Sequence, residues 1–436
     1  MIRADGLVRA LRRRDLVALL LHAMMGAGML VAPSRVFGYV GDWSFVALGA
    51  SALILTPLIF CFADLSSRFS GTGGPFLYAR TALPSWLAFV VGWLLWVSQG
   101  LGIATLSNLL MSYLMGLAPG LAETTARAAV ILGVGATLTG IALVGIRQSA
   151  GASNALIVLK LGFVATFLVV GATHLHLENV AVASPPPSLA PFAQAILIFL
   201  FGYSGFERGA VVAGEARDPQ RDAPAALFAG VVIASLAYAA ILLICMGVLG
   251  DPSTTDRPLA EVGRVLFGDL GGLLVSVGAV AVILGTLLSL LVTMPRVLLA
   301  MAENGQLPPV VARIHPRWQT PHWAILASAA LGFGAALSGD LIGNLTFSTA
   351  ARLSVYLICC VALWRLAGSS DAPAPRFQLP AARWVASLTA IVFCAVLAVG
   401  ATKELPTLAF VVALGLAILA FTRRRTKPAL DPQNTA

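Results

Sequence analysis

Two glycine-broken stretches hold the clearest chemistry in this chain. The apolar run 15–37 is interrupted by Gly26-Ala27-Gly28 and the run 191–214 by Gly202-Tyr203-Ser204-Gly205, each about a dozen residues after its run begins. Unwinding a helix inside a bilayer leaves backbone groups that cost several kcal/mol each unless something satisfies them. A small zwitterion can do so. The amides of Ala27, Gly28 and Met29 would open the second half of the first run, where the helix dipole is positive and suits a carboxylate. The carbonyls of Phe201, Gly202 and Ser204 close the first half of the other, where the dipole is negative and suits an ammonium group. A carboxylate and an ammonium a few ångströms apart describe an α-amino acid.

Charged residues within apolar runs are the second signal, because each costs about 2.5–3.5 kcal/mol at a bilayer centre on insertion scales. Glu207, directly after the second break, is expected either to hold the unwound segment or to exchange a proton. Arg208 points about 100° away around a helix, so it need not pair with Glu207; it favours an acidic substrate or binds a neighbouring helix. Arg352 is expected to pair inside the bundle. Asp64, beside Ser66, Ser67 and Arg68, reads as a solvated interfacial carboxylate. On composition, Lys160 reads as a lysine that snorkels to the interface. His22, before the first break, reads as a packing residue and a weak proton-relay candidate.

The elements that must position these groups follow from composition. The chain has 436 residues, of which 58% are hydrophobic and 11% charged, against about 25% charged in a soluble domain. A soluble globular enzyme is thereby excluded. At about 20 apolar residues per crossing, the runs give spans at 15–37, 43–65, 84–116, 126–146, 153–174 and 191–214. A second set lies at 225–249, 270–301, 322–338, 342–366, 383–400 and 406–422, making an all-α integral membrane protein of twelve transmembrane helices. The basic N-terminal segment 1–14 precedes a run of spanning length with no small-residue cleavage site, so the first helix is expected to stay. Lys and Arg crowd the loops on the side shared by the termini, whereas the opposite loops hold only Arg35, Arg127, Arg257, Arg264 and Lys403. By the positive-inside rule both termini are cytoplasmic. The net charge of +9 is thus a topology signal and requires no nucleic acid. Cys61, Cys245, Cys359, Cys360 and Cys394 lie in apolar runs without metal-site spacing and read as buried free thiols.

Broken helices at matching positions of two halves point to an inverted-repeat transporter with its site at the bilayer midplane. Glycine is also frequent in membrane helices for close packing, but two breaks five spans apart, one beside Glu207, fit the repeat better. The halves are 15–176 and 191–366, followed by two further helices in 383–422, with cytoplasmic segments 1–14 and 423–436.

Four segments carry a resemblance. Gly26-Ala27-Gly28-Met29-Leu30 with Pro33, residues 62–80 (FADLSSRFSGTGGPFLYAR), 201–227 (FGYSGFERGAVVAGEARDPQRDAPAAL) and 295–308 (PRVLLAMAENGQLP) together resemble the amino acid/polyamine/organocation permeases. The resemblance implies a five-plus-five inverted-repeat fold, alternating access, and amino acid or amine substrates in a bacterial inner membrane. It further implies carboxylate contacts at Gly26, Ala27 and Gly28, and ammonium contacts at the carbonyls of Met24, Phe201, Gly202 and Ser204, with Phe201 as an aromatic gate. Lys160 matches a lysine that occupies, in proton-linked and sodium-independent members, the place of a sodium ion. Its amine would tie carbonyls of the first span to Thr286 or Ser289 in the eighth, making all three coupling candidates along with Glu207. Arg208 stands where many members carry a small or apolar residue, which puts a simple neutral pocket in doubt. Segment 214–224 resembles a hinge between the sixth and seventh spans and is given no ligand.

The reading is therefore a secondary transporter of amino acids, driven by protons or by exchange, with no cofactor or metal and with an open oligomeric state. A polyamine carrier of the same fold would need acidic groups in the cavity; Glu207 is available but Arg208 opposes it. A non-transporting amino acid sensor is expected to carry a longer cytoplasmic tail. An enzyme would need a motif such as Gly-x-Ser-x-Gly, whose spacing Gly202-Tyr203-Ser204-Gly205 lacks. Gln99, Trp96 and Leu290 are expected to line the cavity.

Overall fold

A computed structural model describes residues 12–69, 74–144, 160, 162–212, 216–370 and 372–425. The described elements are helices: α1 (Arg13–Met24), α2 (Ala27–Val40), α3 (Ser44–Arg68), α4 (Pro75–Ala82), α5 (Ser85–Leu117) and α6 (Thr124–Val144). An apolar helix α7 (Gly162–His174) is followed by α8 (Leu189–Tyr203), α9 (Phe206–Val212), α10 (Pro219–Leu249) and α11 (Pro258–Glu303). The chain continues through α12 (His322–Ala336), α13 (Leu341–Leu366), α14 (Ala382–Gly400) and α15 (Leu405–Arg425). Helix dominates because, in hydrocarbon, only intrasegment hydrogen bonds satisfy an isolated apolar run.

Among the described residues, nine helical stretches are long and apolar enough to cross a membrane, and α7 and α12 are shorter apolar helices. The protein is a multi-pass membrane protein. Residues 153–159, which were expected to begin the fifth span, lie outside the described residues, as do 1–11, 145–146, 213–215 and 426–436 of the expected segments. The expected eighth span, 270–301, lies wholly within α11, which bends at Phe267 and at Gly268 (φ +63°).

Helix α5 lies at the centre of the bundle, packed against α11, α12 and α13, and almost every side chain from Ala88 to Met111 is buried. Helix α2 packs on α8, and α1 packs on α9 and α10, so the two interrupted runs lie side by side. Helices α14 and α15 flank the bundle. Trp384, Leu388, Ile391 and Phe410 are exposed on them, as suits faces turned to lipid. Cys394 on α14 is also exposed, correcting its reading as a buried thiol: its helix presents that face outward, while the other four cysteines are buried.

Asp64 requires a second correction. Its carboxylate is fully buried, accepting a hydrogen bond from Arg68 Nε at 2.6 Å and one from the Leu379 amide at 2.9 Å. The loop before α14 folds over the end of α3 and replaces the water that an interfacial carboxylate would otherwise use. Ser67 Oγ donates to the Phe377 carbonyl and Arg68 Nη1 to the Pro373 carbonyl in the same clasp.

Candidate functional site

The first interruption spans Met25 and Gly26, between α1 and α2. No side chain caps the N-terminus of α2, leaving its first amides for another acceptor. The second interruption is Ser204-Gly205, between α8 and α9. Gly205 sits at φ +115°, a conformation open to glycine, and a Cβ there would lie 2.9 Å from the carbonyl carbon of Ala23. The two runs also meet at Gly28 and Gly202. A Cβ on Gly28 would come 2.2 Å from the Gly202 Cα, so only glycine permits this crossing.

Around the crossing is a cavity of about 30 Å³, lined in part by Met24, Gly26, Gly28, Phe201, Ser204 and Thr286. Leu290, Arg208 and Arg352 also line it, with Gly102 and Leu106 of α5. The volume is about one water's share. Larger clefts lie apart from it, one of about 310 Å³ beside Arg257, Glu261 and Asp269 and one of about 500 Å³ beside Asp64, Arg68 and Trp384. Neither touches the interrupted backbone.

Protein groups already engage the carbonyls expected to face an ammonium. Tyr238 Oη lies 2.6 Å from the Met24 carbonyl oxygen and 2.7 Å from that of Gly202, so one hydroxyl proton serves both runs. The Phe201 carbonyl accepts from Ser204 Oγ at 2.5 Å and from the Ser204 amide at 3.1 Å. Each carbonyl oxygen has two lone pairs; both are engaged at Phe201 and at Met24, which also accepts from the Gly26 amide at 2.8 Å, so an ammonium there would have to displace a donor the protein now supplies.

Glu207 is fully buried. Its Oε2 accepts from the Gly205 amide and from Tyr356 Oη, both at 2.9 Å, which pins the break from the following turn. Its Oε1 lies 3.7 Å from Arg352 Nε. Arg352 is thus ion-paired inside the bundle while also facing the cavity. Among the described residues, Arg208 has no ion-pair partner, and its buried Nε and Nη1 make no hydrogen bond.

Lys160 does not snorkel. It is buried, and its Nζ donates to the His22 carbonyl at 2.9 Å, one of the last carbonyls of α1, where the helix dipole is negative. The expected link to α11 is absent among the described residues: the Thr286 hydroxyl donates to the Val282 carbonyl of its own helix at 2.8 Å and faces the cavity. Ser289 is half-buried and does not line the cavity. Trp96 donates to Ser328 on α12 at 3.0 Å and Gln99 is buried in α5; neither lines the cavity. Of the three residues expected to line it, only Leu290 does.

Sequence reasoning missed Tyr238 and Tyr356. Each is a phenol within an otherwise apolar run, and Tyr356 follows Arg352 by four residues, the spacing that puts two side chains on one helix face. That signal was available for Tyr356. For Tyr238, only the packing of α10 against both broken runs reveals its role.

The amino acid permease family matches residues 11–420. The chain is 31% identical over 338 residues to the chloroplastic cationic amino acid transporter 9 of Arabidopsis thaliana, covering 72% of this chain and 58% of that protein's length. It is 28% identical to a serine/threonine exchanger of Bacillus subtilis, covering 75% of this chain and 76% of that one. With a branched-chain amino acid permease of the same organism it shares 24% identity, over 89% and 87% of the two chains. With the two interrupted helices packed together and a family match spanning nearly its whole length, the chain belongs to the amino acid permeases of the amino acid/polyamine/organocation superfamily.

Proposed function

We propose that this protein is a secondary active transporter that moves amino acids by alternating access through twelve spans arranged as a five-plus-five inverted repeat. The observation that carries the reading is the contact of the two interruptions at Gly28 and Gly202, with the uncapped start of α2 and the carbonyl end of α8 on one small cavity. The substrate's carboxylate binds the amides of Ala27, Gly28 and neighbouring residues, and its ammonium binds the carbonyls of Met24, Phe201, Gly202 or Ser204. A cavity with room for about one water must open to admit an amino acid, so binding requires α1, α2, α8 and α9 to move relative to α10 and α11. Phe201 gates the cavity.

Transport is sodium-independent and driven by protons or by exchange. The Lys160 amine supplies the positive charge and carbonyl ligation that a sodium ion would otherwise provide at the end of α1. Releasing its proton weakens the bond to the His22 carbonyl and shifts the equilibrium between open and closed states. Thr286, Ser289 and Glu207 belong to the same coupling region. In this reading the two halves are 15–176 and 191–366, and both termini are cytoplasmic.

Uptake of radiolabelled amino acids into proteoliposomes, in sodium-free buffer with and without an inward proton gradient, tests the proposal. Accumulation of one amino acid class that collapses with the gradient is the expected result for a symporter, and uptake only into preloaded vesicles is the expected result for an exchanger. Binding without any movement would overturn the transport reading in favour of a sensor.

A further inference from the structure

The cavity's charge is not balanced by the residues around it. Arg208 and Arg352 both face it, and in each the Nε and Nη1 are buried without a hydrogen-bond acceptor. Arg352 is 3% exposed and Arg208 is half-buried, but the Nε and Nη1 atoms of both are closed to bulk water. The nearby carboxylate is Glu207, which is largely committed: Oε2 accepts from the Gly205 amide and Tyr356, and Oε1 stands 3.7 Å from Arg352, within ion-pair reach but beyond a hydrogen bond. One carboxylate offsets one guanidinium, which leaves the second in excess. Lys160, held on the adjoining end of α1, adds positive charge on the same side. Among the described residues, no acidic side chain lines the cavity.

Buried guanidinium N–H groups without an acceptor are unfavourable, and the group that satisfies them best is a carboxylate, which can take two parallel N–H bonds from one arginine. The substrate's α-carboxylate is already provided for by the amides at the start of α2. A substrate with a second carboxylate would supply the missing acceptor, whereas one with a side-chain cation would add to the excess. Building on the transport reading above, we propose that this site selects amino acids with an anionic side chain, received by Arg208 with Arg352 beside it, and rejects those with a cationic one. Arg208 is then the specificity-determining residue.

The experiment uses the purified full-length protein in proteoliposomes, with aspartate, glutamate, serine, leucine, lysine and putrescine as competitors of tracer uptake and as ligands in thermal-shift measurements. Aspartate or glutamate should compete at least about ten-fold better than lysine or putrescine, the effect of roughly one well-placed charge-assisted pair. Arg208→Leu should remove that preference while eluting as a single species, and Arg208→Lys should restore part of it. Preference for serine, leucine or lysine would overturn the proposal while leaving amino acid transport intact, as would an acidic preference unchanged in Arg208→Leu. Failure of all six compounds to bind or move would overturn the transport reading itself and this inference with it.

Discussion

The two interruptions are built differently. At α1–α2 the side chains that engage the loosened end come from elsewhere in the fold: Lys160 reaches the His22 carbonyl and Tyr238 the Met24 carbonyl, which the Gly26 amide also bonds from within. At α8–α9 the break is held mostly from within, by Glu207 on the Gly205 amide and by Ser204 Oγ on the Phe201 carbonyl. Tyr238 is common to both, through the Gly202 carbonyl. A break held from outside changes when its neighbours shift or lose a proton; one held by its own chain keeps its shape. We therefore propose that the responsive part of the site is α1–α2 and the fixed part α8–α9.

The largest expected effect removes the contact between the two. Gly28→Val would drive side-chain carbon into the Gly202 backbone, where neither chain can yield cheaply, and uptake should fall below about a tenth of the unsubstituted protein. Uptake near normal would show that the runs do not meet at this crossing. Next comes the internally held break. Glu207→Ala strips the Gly205 amide, Tyr356 and Arg352 of a shared buried partner and should destabilise the protein by about 3–5 kcal/mol, read as a lower melting temperature.

Lys160→Met probes the externally held break. It should leave the protein folded and abolish the dependence of uptake on an inward proton gradient; an unchanged gradient response would remove Lys160 from the coupling scheme. Tyr238→Phe has the smallest effect, because it removes one hydroxyl from two carbonyls that retain their helical surroundings. About 0.5–1.5 kcal/mol is expected for a lost buried hydrogen bond, appearing as a several-fold change in KM with nearly normal expression.

What could be read from the sequence was what is encoded locally. Glycine clusters inside apolar runs marked both interruptions, since each helix break is a property of a few adjacent residues, and hydropathy located the runs for the same reason. Partners that depend on how a helix is rotated were not legible. Asp64 read as solvated because nothing near it in sequence announces that the Leu379 amide folds over it. Lys160 could be placed near an interface by composition alone, but only the family resemblance hinted that its amine turns inward to α1. Trp96 and Gln99 lie on a helix buried on nearly all sides, where hydropathy has no asymmetry to show which face meets the cavity.

The most direct test of the central claim is hydrogen exchange by mass spectrometry on the purified protein, with and without the amino acid that gives the highest uptake. If both interruptions form one site, the substrate should slow exchange in residues 24–29 and 201–206 together. Protection confined to one of them, or appearing instead around Arg257, Glu261 and Asp269, would contradict it.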